Sequence, residues 1–433
     1  MPSVVDLGMR SLPAFVSNIA REFDALDSIA APLREAMLRG NLVRSINASP
    51  EEKSVVTVDG ACVVQQLAGI DLIDSCAVAS EGIAFGPEGR LYTTSDDAPK
   101  MYWSDYLRDH SSAIGNAATD LMSLQEMMLL ENETVLQHGI RIIDGSWTSA
   151  LVSILVAFQR NIHSSRLLNN YLANWVSSGS GDNGFEAISA IKRRNSPWIN
   201  APLSDGSGGV MIAISKSDSQ RSYAQFLSRV GIDNAGAAYA LGDRTLSSVT
   251  LAPGEMLPVI DLPVQSTRNP RSAGAQRDLA GWKEAQESQD GREELLRDFY
   301  HALGEVVDTT GVGIAPPVTM ARLVNEKWLY TTYFKPPTAD QYARPLKVDF
   351  VRPSDLDPND DGFGQAIGDY AKEHVIEPLC HDIISEAREP MSQYLADKEA
   401  KQISVVSTMR RAHLASSIDN PRALAAILGS YRT

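Results

Sequence analysis

The stretch Ser54-Val55-Val56-Thr57-Val58-Asp59-Gly60 constrains this chain more than any other. Branched Cβ atoms suit a pleated surface, so Val, Val, Thr and Val predict a buried strand. The glycine after Asp59 predicts a tight turn that most residues resist. The phrase returns at Ile140-Arg141-Ile142-Ile143-Asp144-Gly145-Ser146. Two apolar strands that each end in Asp-Gly are expected to set two carboxylates side by side at one end of a sheet. Crowded carboxylates repel each other, and a metal cation is the usual reason for tolerating them.

Composition narrows the classes that such a pair can serve. The chain has 433 residues, 43% of them hydrophobic. That is enough for one large domain or two to three smaller ones. A formal net charge of -15 argues against a broad phosphate-binding surface, which needs Lys and Arg. It leaves room for a local basic groove or a metal-neutralised cluster. Cys62, Cys76 and Cys380 are too few and scattered for a disulfide scaffold or a structural zinc site. No stretch approaches the roughly 18–20 unbroken apolar residues of a membrane span. The N-terminus lacks a basic start followed by an apolar run. The expected setting is the cytoplasm, away from membranes.

Taken in order, residues 11–46 have helical spacing, with Leu12, Phe15, Ile19, Phe23, Leu26 and Ile29 on one face and Pro32 opening a second helix. Val55–Asp59, Cys62–Leu67 and Ile70–Ala79 predict three strands in an antiparallel meander. Residues 86–112 are polar and turn-rich. Residues 116–137 return to helical spacing and carry Glu126, whose neighbours one turn away include Met122, Leu129 and Leu130. The strand ending at Asp144 follows, then a helix over Thr148–Arg160. Gly208–Ser215 predicts another core strand, followed by Lys216. Residues 264–295 are poor in apolar side chains and read as an insertion or loop. A helix over Glu293–Val307, a strand pair at Trp328–Phe334 and Leu346–Val351, and helices from Phe363 to Leu428 complete the chain.

A strand with Asp59, two more strands, a helix with Glu126 and a strand with Asp144: that order resembles the ribonuclease H-like fold. The expected class is therefore α/β, a mixed sheet flanked by helices, with N-terminal and C-terminal helical extensions. In that fold the acids from these places converge on divalent metals. Two cations about 3.5–4 Å apart can activate water, hold a scissile phosphate and stabilise the departing oxygen. Hard oxygen ligands suit Mg²⁺ or Mn²⁺. Seven scattered histidines do not supply a zinc cluster.

More closely, the sequence resembles the NurA family of DNA-end-processing nucleases. The likeness is carried by Val58-Asp59-Gly60, by Glu126 upstream of Ile143-Asp144-Gly145-Ser146, by the strand end Ile214-Ser215-Lys216 and by the segment Leu395–Ser404. The family has a Pro-x-x-Leu-x-x-Ala-(Asp or His) pattern before its late helix. Here Pro390 and Ala396 keep the spacing and Asp397 takes the ligand place. Gln393 stands where the family has leucine, and Glu389 replaces an aromatic residue. The matched motifs fall between Glu51 and Ser404. The expected division is a helical segment 1–50, a ribonuclease H-like core over 51–262, a polar insertion or loop at 263–296 and a mostly helical part at 297–433 that completes the NurA-like domain. The resemblance implies Asp59, Glu126, Asp144 and Asp397 as ligands of two Mn²⁺ or Mg²⁺ ions, with Lys216 meeting a phosphate or a developing negative charge. It also implies a homodimer that acts on DNA ends with the HerA-type hexameric DNA-translocating ATPase, in end resection or anti-phage defence.

Other roles for the same residues stay open at this level. Asp59 and Asp144 can be turn acids, and Asp397 can be a surface acid pairing with Lys401 one turn on. His374 and His381 compete with Asp397 as a ligand. Lys192-Arg193-Arg194 and Arg410-Arg411 read as solvated faces, and Tyr330, Tyr333 and Phe334 as core. The whole chain can instead be a non-catalytic adaptor of an ATPase, or another metal phosphohydrolase.

Overall fold

A computed structural model describes residues 28–49, 53–146, 209–261 and 329–420, apart from short breaks, together with residues 12–13 and 16–17. The helices expected over 148–160 and 293–307, the basic cluster at 192–194, the polar stretch 264–295 and Lys216 lie outside the described residues.

Twelve strands are described. In chain order they are β1 (Arg44–Ser45), β2 (Val55–Leu67), β3 (Ile70–Glu81), β4 (Ala84–Gly86), β5 (Gly89–Leu91), β6 (Lys100–Leu107), β7 (Ile140–Asp144), β8 (Val210–Ser215), β9 (Glu255–Met256), β10 (Ile260–Asp261), β11 (Leu329–Lys335) and β12 (Leu346–Val351). Ten of them form one sheet in the order β1-β9-β11-β12-β8-β7-β2-β3-β6, with β10 also pairing β11. At its heart β6, β3 and β2 are antiparallel, while β7 runs parallel to β2 and β8 parallel to β7. Helix α2 (Ile114–Leu130) connects the antiparallel part to the parallel part. This is the ribonuclease H-like arrangement that the order of elements predicts.

Helices cover both faces, because the strands bury side chains on both. On one face Ile140, Ile142, Ile212, Ile214, Val348 and Phe350 form a core. It is closed by α6 (Phe363–Tyr370) and its continuation through a π-helical turn (Ala371–Ile376) to Leu379. On the other face Tyr333 meets Leu33 and Met37 of α1 (residues 28–39), Tyr223 and Leu227 of α4 (Ser222–Arg229) and Leu246 of α5 (Asp243–Thr250). Arg34 fixes α1 to β9 by a two-pronged ion pair with Glu255, both contacts at 2.7 Å. A short helix, α3 (Glu133–Leu136), leads into β7 and is capped by the Asn132 side chain. Tyr330, Tyr333 and Phe334 are core residues, as expected.

The antiparallel part differs from the sequence expectation in two places. Val55–Asp59 and Cys62–Leu67 are halves of one strand, and Gly60 is an ordinary ladder residue opposite Ala77, not a turn. The third strand of the meander is β6, inside the stretch read as turn-rich. Its described side chains are exposed or half-buried. An edge strand held by backbone pairing needs no buried face, and without one the aromatic residues of β6 show no clean alternation against the turn residues around them.

Candidate metal centre

Strand register builds the first half of the site. β2 and β7 pair in parallel from Val55 with Ile140 to Val58 with Ile143, so Asp59 and Asp144 come next, side by side on one face. Asp59 is buried and Asp144 half-buried. Asp59 Oδ1 accepts a hydrogen bond from the Gly60 amide at 2.8 Å. After Asp144 the chain leaves the sheet through Gly145, whose φ of 110° suits only glycine.

Helix α7 (Met391–Ala400) supplies the third acid. Its start is anchored by Asp382, which is fully buried. The Asp382 backbone carbonyl accepts from the Met391 amide at 2.8 Å. Its carboxylate accepts from the Ser392 amide at 3.1 Å and the Ser392 hydroxyl at 2.5 Å. A helix start leaves such amides without intrahelical partners, and a carboxylate is a favourable acceptor there. Ser392 Oγ also lies 2.7 Å from the Thr57 hydroxyl, two residues before Asp59. The next residue, the buried Gln393, donates through Nε2 to Asp144 Oδ1 and, at 3.3 Å, to the Ile214 carbonyl. Docked in this way, α7 brings Asp397 over the strand ends.

Asp59, Asp144 and Asp397 each offer an oxygen, and these oxygens lie within 4.8 Å of one another. Lys401 Nζ sits 2.6 Å from Asp397 Oδ2, so the surface pairing foreseen for Asp397 exists alongside its place in the cluster. Glu126, on α2, is not one of these three acids, but it lies beside Gly60 and feels the charges of Asp59 and Asp144. It is buried, and its proton affinity is pushed well up, chiefly by burial and then by the charges of Asp59 and Asp144; a bond from the Gly60 backbone opposes the rise. The donor set fits a hard divalent cation: oxygen ligands, two or more carboxylates, and spacing that a metal ion spans.

His374 and His381, the competing ligands, are engaged elsewhere. His374 packs on the Tyr370 ring at 5.2 Å, and His381 Nε2 lies 2.5 Å from the Ser49 carbonyl oxygen. Arg410 is bound to the buried carboxylate of Asp74 at 2.7 Å, where the sequence suggested a solvated face. Sequence reasoning missed Asp382, Ser392 and the contact made by Gln393. Only the last had a signal, because Gln393 precedes Asp397 by four residues and so shares its helix face.

No protein-family model matches the chain, and no curated protein matches it. Its structure is similar to the crystal structure of the NurA nuclease from Sulfolobus solfataricus, with a TM-score of 0.50 and 13% identity over 97% of this chain and 99% of that one. A crystal structure of NurA bound to dAMP and manganese matches with a TM-score of 0.37 and 12% identity over 99% and 98% of the two chains. At 13% identity, the likeness to the Sulfolobus solfataricus structure shows the fold alone.

Proposed function

We propose that this chain is a metal-dependent deoxyribonuclease of the NurA type, which hydrolyses phosphodiesters at DNA ends. The observation that carries the reading is the gathering of Asp59, Asp144 and Asp397 within 4.8 Å, with Glu126 behind them. The carboxylates come from four separate stretches and repel one another, an arrangement that costs stability unless a cation joins it. An adaptor that serves only to dock on an ATPase gains nothing from that crowding.

Two Mn²⁺ or Mg²⁺ ions, when bound, supply Lewis acidity and a lowered water pKa. Asp59, Asp144, Asp397 and Glu126 would hold them. Asp59 and Asp144 sit on paired strands and set the spacing; Asp397 closes the site from α7. Lys216, the residue after β8, is assigned to a phosphate oxygen or to developing negative charge. The chain's overall acidity suits an enzyme that receives DNA from a translocase and needs little grip of its own. We therefore assign it a HerA-type hexameric ATPase as partner and a homodimeric state.

The test is cleavage of end-labelled duplex and single-stranded DNA with Mn²⁺, with and without a candidate translocase. Asp59→Ala and Asp144→Ala should each abolish cleavage while leaving the circular dichroism spectrum intact. Full cleavage by either purified variant would remove the proposal, and faster turnover of a small chromogenic phosphoester than of DNA would redirect it to another substrate.

A further inference from the structure

The geometry points to Gln393 as a positioning residue for Asp144, resting on the metal-site reading above. Its side chain is fully buried. The Nε2 group lies between two acceptors, the Asp144 carboxylate and the Ile214 carbonyl, so the orientation of the amide is set by its neighbours: only the nitrogen end can donate to both. One side chain therefore ties the ends of β7 and β8 to α7, and it aims an Asp144 oxygen from the same helix face that carries Asp397.

The arrangement has a drawback that marks it as more than filler. The Gln393 carbonyl oxygen is buried with no hydrogen-bond partner among the described residues. An apolar side chain of the same size would avoid burying that oxygen, but it could not hold Asp144. Groups that hydrogen-bond a ligating carboxylate fix its direction and so raise metal affinity. A leucine at this place has no donor and cannot do this.

Gln393→Met keeps the length of the side chain and removes its donors. Titration of the full-length wild type and variant with Mn²⁺ by isothermal calorimetry should show affinity weakened about 10- to 100-fold, with the metal-free melting temperature unchanged. Ser392→Ala is the control: it loosens the start of α7 without touching Asp144, and should lower the metal-free melting temperature while changing Mn²⁺ affinity much less. Equal Mn²⁺ affinity in wild type and Gln393→Met overturns the inference, as does an equal loss in Ser392→Ala. Gln393→Leu serves as the second variant if the methionine fails to fold. A wild type that binds no Mn²⁺ overturns the metal site itself and this role with it. That outcome is distinct, because it is read before any variant is compared.

Discussion

Glu126 fills the space that a side chain on Gly60 would need, across the β2–α2 interface. A Cβ on Gly60 would lie 2.7 Å from Glu126 Oε1, 2.6 Å from Met122 Cγ and 3.0 Å from the Cys76 carbonyl oxygen. The Cys76 backbone belongs to β3 and cannot retreat, so α2 would have to. Gly60→Ala is expected to destabilise the fold by about 1–3 kcal/mol, the usual range for overpacking. Its cleavage activity should fall further than stability alone explains, since Glu126 is displaced from the acids it faces. Urea denaturation and a DNA cleavage assay on the same preparation check both parts.

Glu126 gives a pH signature in the metal-free protein. Burial and the charges of Asp59 and Asp144 raise its folded-state pKa above the unfolded value. The folded state therefore binds this proton more tightly. The associated stability is fully present below the unfolded carboxylate pKa, and it is lost as pH rises through the raised folded value. Glu126→Gln removes that dependence. The variant should melt higher than wild type at alkaline pH without metal, and the two curves should converge in acid. Melting temperatures across pH in the presence of chelator test this.

Metal should act on stability as well as on rate. Binding to the folded state alone stabilises by mass action, by about 2.7 kcal/mol at a hundredfold excess over the dissociation constant. Mn²⁺ is expected to raise the melting temperature of wild type and not of Asp59→Asn. Chelation should stop cleavage, and added Mn²⁺ should restore it. Scanning fluorimetry and a gel assay read these outcomes.

Asp397 separates the metal-ligand role from a surface ion pair. Exposed i,i+4 pairs are worth only about 0.3–0.5 kcal/mol, so Lys401→Ala should leave both stability and cleavage nearly unchanged. Asp397→Asn should lower cleavage by about a thousandfold, the rate equivalent of losing several kcal/mol of metal assistance. Equal effects of the two substitutions would reduce Asp397 to the ion pair.

The anchor of α7 is testable without any ligand. Asp382→Ala removes the acceptor for the Ser392 amide and hydroxyl. Leaving buried donors unsatisfied costs about 1–3 kcal/mol each, so this variant should rank among the most destabilised in a denaturant series.

Asp59 and Asp144 were legible in the sequence because each closes a β-branched run, although only Asp144 also closes its strand. A β-branched run followed by Asp-Gly marks Asp59 and Asp144, and pairing in parallel register carries the two marks to one place. Asp397 was legible by motif alone, since a helix surface acid beside Lys401 has no local signature. The meaning of Gly60 was not legible. The same glycine that suggests a turn also permits close approach, and only the position of α2 decides between them. β6 escaped for a different reason: it holds Met101, Tyr102, Trp103 and Tyr106, but no clean apolar–polar alternation marks it off from the Gly, Pro and Asp residues before it, and Tyr102 and Tyr106 face solvent at the sheet edge. Gln393 registered only as a departure from a pattern, because its partner, Asp144, lies 249 positions earlier in the chain.

Asp397 joins the other two acids from a helix whose first turn is tied down by Asp382. The cluster therefore exists only while that helix is seated on the sheet. A local opening that frees the Asp382 anchor would disperse the three carboxylates and relieve their repulsion without unfolding the strands that carry the other two.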